Sequence, residues 1–279
     1  MGINMLDREL GGLMKKKLIL LLALCLLTTP VFAATNYCTN AIGCWGMDNN
    51  NATEQDITAN NEDLLEDGGS VPTSATVPSG YSGTSRDFEL DDTEAIAKDD
   101  ASGMDIFGAD QVISFCAWVK PETITGNHYI ISKFTSSSAQ RSYGLFIQYN
   151  GGDERFIGIF SGDGENNSYS ISDDNTVSTG TWYHVCMVSD DTNLVMYIDG
   201  DVADTDAYTA GLYNVSNPFT IGSSQNNTGT LAEHFDGLID EVIIDDIAFT
   251  EQQVEEIMTY GIEGDQNPAA GSRRVISVH

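Results

Sequence analysis

"TWYHVCMVSDDTNLVMYIDG", Thr181–Gly200, is the stretch whose reading decides the fold. Two apolar runs, Trp182–Ser189 and Asn193–Ile198, flank the polar residues Asp190, Asp191 and Thr192. Strand side chains point alternately to opposite faces, so Leu194, Met196 and Ile198 share one face and Val195 and Tyr197 the other. The acids between the runs, and Asp199-Gly200 after them, are tight-turn residues. The stretch reads as a hairpin. Its texture repeats on both sides in "QVISFCAWVK", "HYIISKF", "YGLFIQY", "RFIGIF", "SYSIS", "PFTIG" and "LIDEVII", each bounded by Gly, Asn or Asp. Many short strands at this spacing predict an all-β antiparallel sandwich of two stacked sheets.

Two regions depart from this texture. Residues 34–105 are polar and irregular, and only "GCWGM" (43–47) and "RDFEL" (86–90) read as strands there. Residues 250–261 predict one short helix. Thr250 is its N-cap with Gln253 three residues on, Glu251 sits at the positive end, and Val254, Ile257 and Met258 form an apolar face. Gly261 ends it. Residues 263–279 read as a tail, with Arg273 and Arg274 its only basic pair and "RRVISV" a candidate docking or edge segment.

The N-terminus is read as processed. Lys15–Lys17, the apolar run Leu18–Leu27 and Val31-Phe32-Ala33 predict a signal peptide over residues 14–33, cleaved after Ala33. The run is about half of the ~20 apolar residues a membrane-spanning helix needs. Residues 1–13 fit no targeting pattern and are read as upstream of the true start at Met14. Gly11-Gly12 is encodable by a purine-rich ribosome-binding run, which points to a prokaryotic or phage source. A secreted, extracellular or periplasmic protein is expected. The chain of 279 residues has a formal net charge of −30, and loss of the leader leaves about −32. That field repels nucleic acid and anionic lipid and tolerates cations. Cys38, Cys44, Cys116 and Cys186 remain, an even count that implies disulfides in an oxidising compartment.

The order "VISFCAWVKP", "TWYHVCMVSDDTNLVMYIDGDV", "FTIG", "FDGLIDEVIID" and "FTEQQVEEI" resembles the laminin-G-like jelly rolls of the concanavalin A-like lectin and glucanase superfamily. The resemblance covers roughly residues 41–262. It implies an all-β, two-sheet jelly-roll sandwich with one short C-terminal helix over residues 34–262. Within that superfamily the cysteines resemble those of pentraxins, which implies a Cys116–Cys186 bridge and, by default, a Cys38–Cys44 staple. The pentraxin calcium site does not carry over, because Arg141, Ser142, Ser224, Gln225 and Asn226 stand where its ligands would be.

The acids of "FDGLIDEVIIDD" (235–246) raise the question of catalysis. On a regular strand Asp240 and Glu241 face opposite ways, and the same-face pair is Glu241 and Asp245, with Ile243 between them. Their Cα atoms would lie about 13 Å apart at ~3.3 Å per residue. Glycosidases hold their two carboxyls about 5–9.5 Å apart. Glycoside hydrolysis is therefore not expected, and His184 reads as a structural imidazole. The acids have two other uses. With the first and late strands side by side, Asp48 and Asp240 are candidate ligands of a structural calcium ion. The same residues read equally well as an acidic sheet edge without metal. The function expected is a noncatalytic recognition module for a glycan or cell-surface ligand, with Tyr149, Tyr169 and Tyr213 as candidate sugar contacts. The alternative is an exported structural component that packs with copies of itself.

Overall fold

The computed structural model describes residues 34–90, 93–100, 104–106, 108, 112–135, 139–149 and 151–266. The expected start and signal peptide, and Arg273 and Arg274, lie outside them. In chain order the strands are β1 Gly43–Trp45, β2 Thr53–Glu54, β3 Leu64–Asp67, β4 Thr73–Ser74, β5 Ser85–Phe88 and β6 Ala95–Lys98. The longer ones come next: β7 Ile113–Pro121, β8 His128–Phe134, β9 Arg141–Gln148, β10 Arg155–Phe160, β11 Ser168–Ile171, β12 Tyr183–Ser189, β13 Asn193–Ile198 and β14 Asp201–Ala207. Last come β15 Phe219–Ile221, β16 Ser224–Gln225, β17 Leu231–Ala232, β18 Gly237–Asp245 and the helix α1 Glu251–Tyr260.

One sheet runs β14-β13-β12-β7-β18-β5-β4, with β1 also on β18. The other runs β11-β10-β9-β8-β15-β6-β3-β2. The named pairs in both are antiparallel, and the two sheets stack face to face, as a two-sheet jelly roll requires. The hairpin expected over Thr181–Gly200 is β12–β13. Leu194, Met196 and Ile198 face the inter-sheet core, while Val195 and Tyr197 face the other side. Asp199 and Gly200 both take positive φ, as a two-residue hairpin turn demands.

Three apolar clusters lie among the described residues. The largest lies between the sheets, where Phe115 stacks on Phe160 at 5.8 Å and Trp45 on Phe219 at 5.4 Å. Burying a side chain of this size contributes about 1.5–3 kcal/mol. A second cluster covers the outer face of the β7–β12–β18 sheet. Here Cys116, Cys186 and Ile243 meet Val254 and Ile257 of α1. The helix carries the expected capping box between Thr250 and Gln253, and Tyr81 Oη donates to its last carbonyls at Ile257 and Met258. The third cluster is on the outer face of the second sheet, where it floors a groove.

Several expectations change. Residues 34–105 hold six strands rather than two, adding β2, β3, β4 and β6, of two to four residues each, whose partners lie far along the chain or in equally short strands. Of the segment expected as tail, residues 263–266 are described, and Gln266 is bonded to the domain. Gln266 receives hydrogen bonds from the Ser82 N–H and hydroxyl, and Glu241 Oε2 accepts the Ile262 N–H at 2.8 Å. Among the described residues no helix is long and apolar enough to cross a membrane.

Candidate functional site

The groove on the second sheet's outer face has a volume of about 680 Å³. Alternation places it. Along β9 and β10, Tyr143, Leu145, Ile147, Phe156 and Phe160 point into the sandwich, so Phe146, Gln148, Ile157 and Ile159 point out. Tyr129 stacks on Phe146 with ring centroids 4.7 Å apart and 16° between planes, and Phe134 extends the stack at 6.4 Å. These rings form the floor. The β16–β17 hairpin makes one wall, tied to β8 by a bridge from Gln225 to Thr135. Tyr169, 41% exposed on β11, stands at the other.

The rim is polar and largely fixed. Gln148 Oε1 accepts from Arg155 Nε at 3.1 Å and Nη2 at 2.8 Å. Asn127 Nδ2 donates to Glu233 Oε1 at 3.0 Å. Asn167 Nδ2 donates to the Tyr169 hydroxyl, and its Oδ1 has no hydrogen-bond partner. Asn226 Oδ1 closes its own turn by accepting from Thr228 and Thr230. The floor rings Tyr129, Phe134 and Phe146 are 4–6% exposed, so the ring that offers a face to a sugar is Tyr169, while the rim amides and guanidinium groups offer donors to its hydroxyls. Of the three tyrosines singled out in the sequence, only Tyr169 lines the groove. Tyr149 is exposed at the end of β9, and the ring of Tyr213 lies against Gly164.

The acids of β18 form a separate, closed site. The strand is not regular. Its register with β7 shifts between Asp240 and Ile243, and Glu241 has φ +50. Val242 still points to the core, so the extra residue turns Glu241 outward beside Asp240. The expectation that these two face opposite ways is thereby overturned. Asp240 is 2% exposed, and burial, then Glu241 and Asp48, push its carboxyl up to about 9. Burial likewise raises Glu241 to about 7, with Asp265, Asp48 and Glu263 adding to the rise and the Ile262 N–H opposing it. Asp48 lies just past β1, its Oδ1 accepting from Thr84 N at 2.5 Å and Thr84 Oγ1 at 3.1 Å. A Cβ at Gly83 would come within 2.4 Å of the same oxygen.

β1 pairs with β18 as expected, so Asp48 and Asp240 belong to one acidic neighbourhood. Among the described residues no lysine or arginine pairs with Asp48, Asp240 or Glu241. Asp240 and Glu241 are buried and Asp48 is exposed near them, and all three offer the hard oxygen atoms that calcium takes. The same burial keeps substrates out. Glu241 is covered by the Ile262 segment, and Asp245 is 6% exposed.

The cysteines pair as Cys38–Cys44 and Cys116–Cys186. His184 lies fully buried against the second bridge, 3.9 Å from Cys186 Sγ, and burial drives its imidazole down to about 3. Both sulfurs of this group are bonded to each other, so it offers no soft-metal site. A second trio, Asp87, Glu89 and Glu122, gathers at the end of β5 and is not apparent in the sequence, because Glu122 comes from a segment distant from the other two.

Solved structures share this architecture. Domain 4 of AbnA, a GH43 extracellular arabinanase from Geobacillus stearothermophilus solved in complex with arabinotriose, is 18% identical, with a TM-score of 0.57. The match covers 78% of this chain and 98% of that one. The binding domain of Paraclostridial Mosquitocidal Protein 1 is 15% identical with a TM-score of 0.60, over 79% of this chain and 52% of that one. A botulinum neurotoxin type C structure, reported for cell entry dependent on two ganglioside molecules, is 11% identical with a TM-score of 0.58, over 78% and 50%. This chain thus spans the whole arabinanase domain but about half of the toxin chains. No curated protein matches the sequence. Residues 94–255, more than half of the chain, match the Laminin_G_3 family, and the protein belongs to that family of the concanavalin A-like lectin/glucanases superfamily.

Proposed function

We propose that this protein is an exported glycan-recognition module that binds a carbohydrate chain in the groove on the outer face of β8–β11. The observation that carries the reading is the exposed ring of Tyr169 beside an apolar floor framed by Asn127, Gln148, Asn167 and Asn226. Ring faces and amide edges together match the two kinds of surface a sugar presents. The related arabinanase domain was solved with arabinotriose, and the toxin structure is described with gangliosides, which supports a carbohydrate ligand for this fold. The two disulfides support export. A glycan array identifies the ligand, and Tyr169→Ala with Gln148→Ala tests the place. Loss of binding in both variants, with melting unchanged, supports the reading. Absence of any glycan ligand, or full binding by both variants, sinks it.

Calcium is the second part of the proposal. Asp48, Asp240 and Glu241 would hold a structural ion that joins the β1 end, the β18 bulge and the Ile262 segment. The rise that Asp48 adds at Asp240 and Glu241 supports this use, and binding would draw together oxygens that do not all lie within 4.8 Å of one another. Added calcium is expected to raise the melting midpoint of chelator-treated protein. A midpoint that calcium leaves unmoved rules it out.

A further inference from the structure

The cations of the groove already have partners. Arg155 donates from Nη1 to Asp174 Oδ1 at 2.9 Å, and from Nε and Nη2 to Gln148 Oε1. Asp174 is 55% exposed, so water weakens the bond, yet the two charges still sum to zero. Arg141 Nη1 donates to the Glu165 carbonyl, and a further partner engages this arginine. The acid of the lining, Glu233, is held by neutral donors, Asn127 Nδ2 at 3.0 Å and Ser224 Oγ at 3.4 Å. Among the described residues no lysine or arginine pairs with it. The uncompensated charge at the groove is therefore negative. It sits in the field of a chain with 42 acids against 12 bases.

Hydrogen bonding points the same way. Asn167 Oδ1 in the lining has no hydrogen-bond partner, and the Glu233 carboxylate only accepts. Both call for donors. Gln148 Oε1 already accepts two bonds from Arg155, and Asn226 Oδ1 accepts from Thr228 and Thr230, which leaves their amide N–H groups to donate. A sugar hydroxyl donates and accepts, so it answers either kind of group. A carboxylate or sulfate oxygen only accepts, and it has no proton for Asn167 Oδ1 or Glu233. The exposed ring of Tyr169 presents a face of negative π-charge, which also disfavours an anion.

We propose, resting on the glycan reading of this groove, that it takes a neutral glycan and turns away chains bearing carboxylate or sulfate groups, because its arginines are already paired. A glycan array carrying neutral, carboxylated and sulfated chains ranks the ligands of the intact protein, and the best should be neutral. Calorimetric titration then compares that chain with a carboxylated derivative of it. The neutral chain should bind with the same affinity, within about twofold, in low and high salt. The derivative should bind at least about tenfold more weakly in low salt, and the gap should narrow as sodium chloride screens the repulsion. Asp174→Asn removes the charge that offsets Arg155, at an exposed position outside the lining. It should return about threefold of the derivative's affinity and leave the neutral chain unchanged. Should that variant not fold, the salt response of the unmodified protein decides. An acidic chain that ranks first or binds as tightly as its neutral parent, or Asp174→Asn without effect on the derivative, overturns this inference and keeps the glycan reading. An array on which nothing binds removes both.

Discussion

At the scale of the residue, Asp240 shows what a bulge does to electrostatics. Two adjacent acids on a regular strand would separate to opposite faces. The positive φ of Glu241 puts both on one face, next to Asp48 and under the Ile262 segment. Their unfolded carboxyls titrate near the usual 4, while the folded ones are raised to about 9 and about 7. The folded chain then holds more protons than the unfolded chain between those limits. Without calcium the stability these two carboxyls contribute is fully present below about pH 4 and is lost as pH rises through 7 and then 9. Melting in chelator should fall steadily from mildly acidic to mildly alkaline pH, and a flat profile counts against this. Asp240→Asn removes the most crowded charge. It should raise the alkaline, metal-free midpoint by about 2–6 °C, equivalent to roughly 1–2 kcal/mol, and abolish the calcium response. Scanning calorimetry reads both. None of this was legible in "GLIDEVII", where a bulge leaves no composition signal. The acids themselves were legible, and so was the meeting of β1 with β18.

At the scale of the element, signals carried by near neighbours are legible, while those of the shortest strands lie in distant partners. The capping box of α1 depends on residues three apart, so Thr250 and Gln253 announced it. Thr250→Ala should cost about 1 kcal/mol in chemical unfolding. A loss far below that would mean the helix is held by packing alone. By contrast β2, β3 and β4 have two to four residues each and are organised from outside. Arg86 of β5 does this, fully buried, with Nε on Glu54 at 3.0 Å, Nη1 on Glu66 at 3.1 Å and further bonds to the carbonyls of Val71 and Asn51. Burial raises the Glu54 carboxyl despite this partner, a sign that desolvation outweighs the pairing. Removing one member of a buried pair strands the other, so Arg86→Ala should cost about 3–5 kcal/mol. Urea unfolding measures it, and a change under about 1 kcal/mol would show the network to be dispensable. No spacing rule links Arg86 to Glu54 or Val71, which is why the stretch read as loop.

At the scale of the whole molecule, the groove and the net charge are collective properties. Phe146, Ile157 and Ile159 lie in runs that read as strands, and only the assembled sheets show that they face outward as a floor. The charge was legible at once, yet its mechanical consequence depends on the fold. Acids crowd the β14 edge at Asp201, Asp204 and Asp206, and Asp204 Oδ2 closes that edge by accepting from Ser170 and Ile171 of the other sheet. A compact body at a formal −30 repels itself more than the expanded chain does. The Cys116–Cys186 bridge opposes expansion by tying residues 70 apart, worth on the order of 4 kcal/mol in the chain-entropy model. Salt screens the repulsion and leaves the bridge untouched. Sodium chloride should therefore raise the melting midpoint of the intact protein in chelator. The rise should be larger in Cys116→Ala/Cys186→Ala, which retains the full charge but lacks the tie. Equal salt responses in the two proteins would show that the bridge and the charge do not act on the same expansion, and a midpoint that falls with salt would show that attractive pairs, not repulsion, dominate the surface.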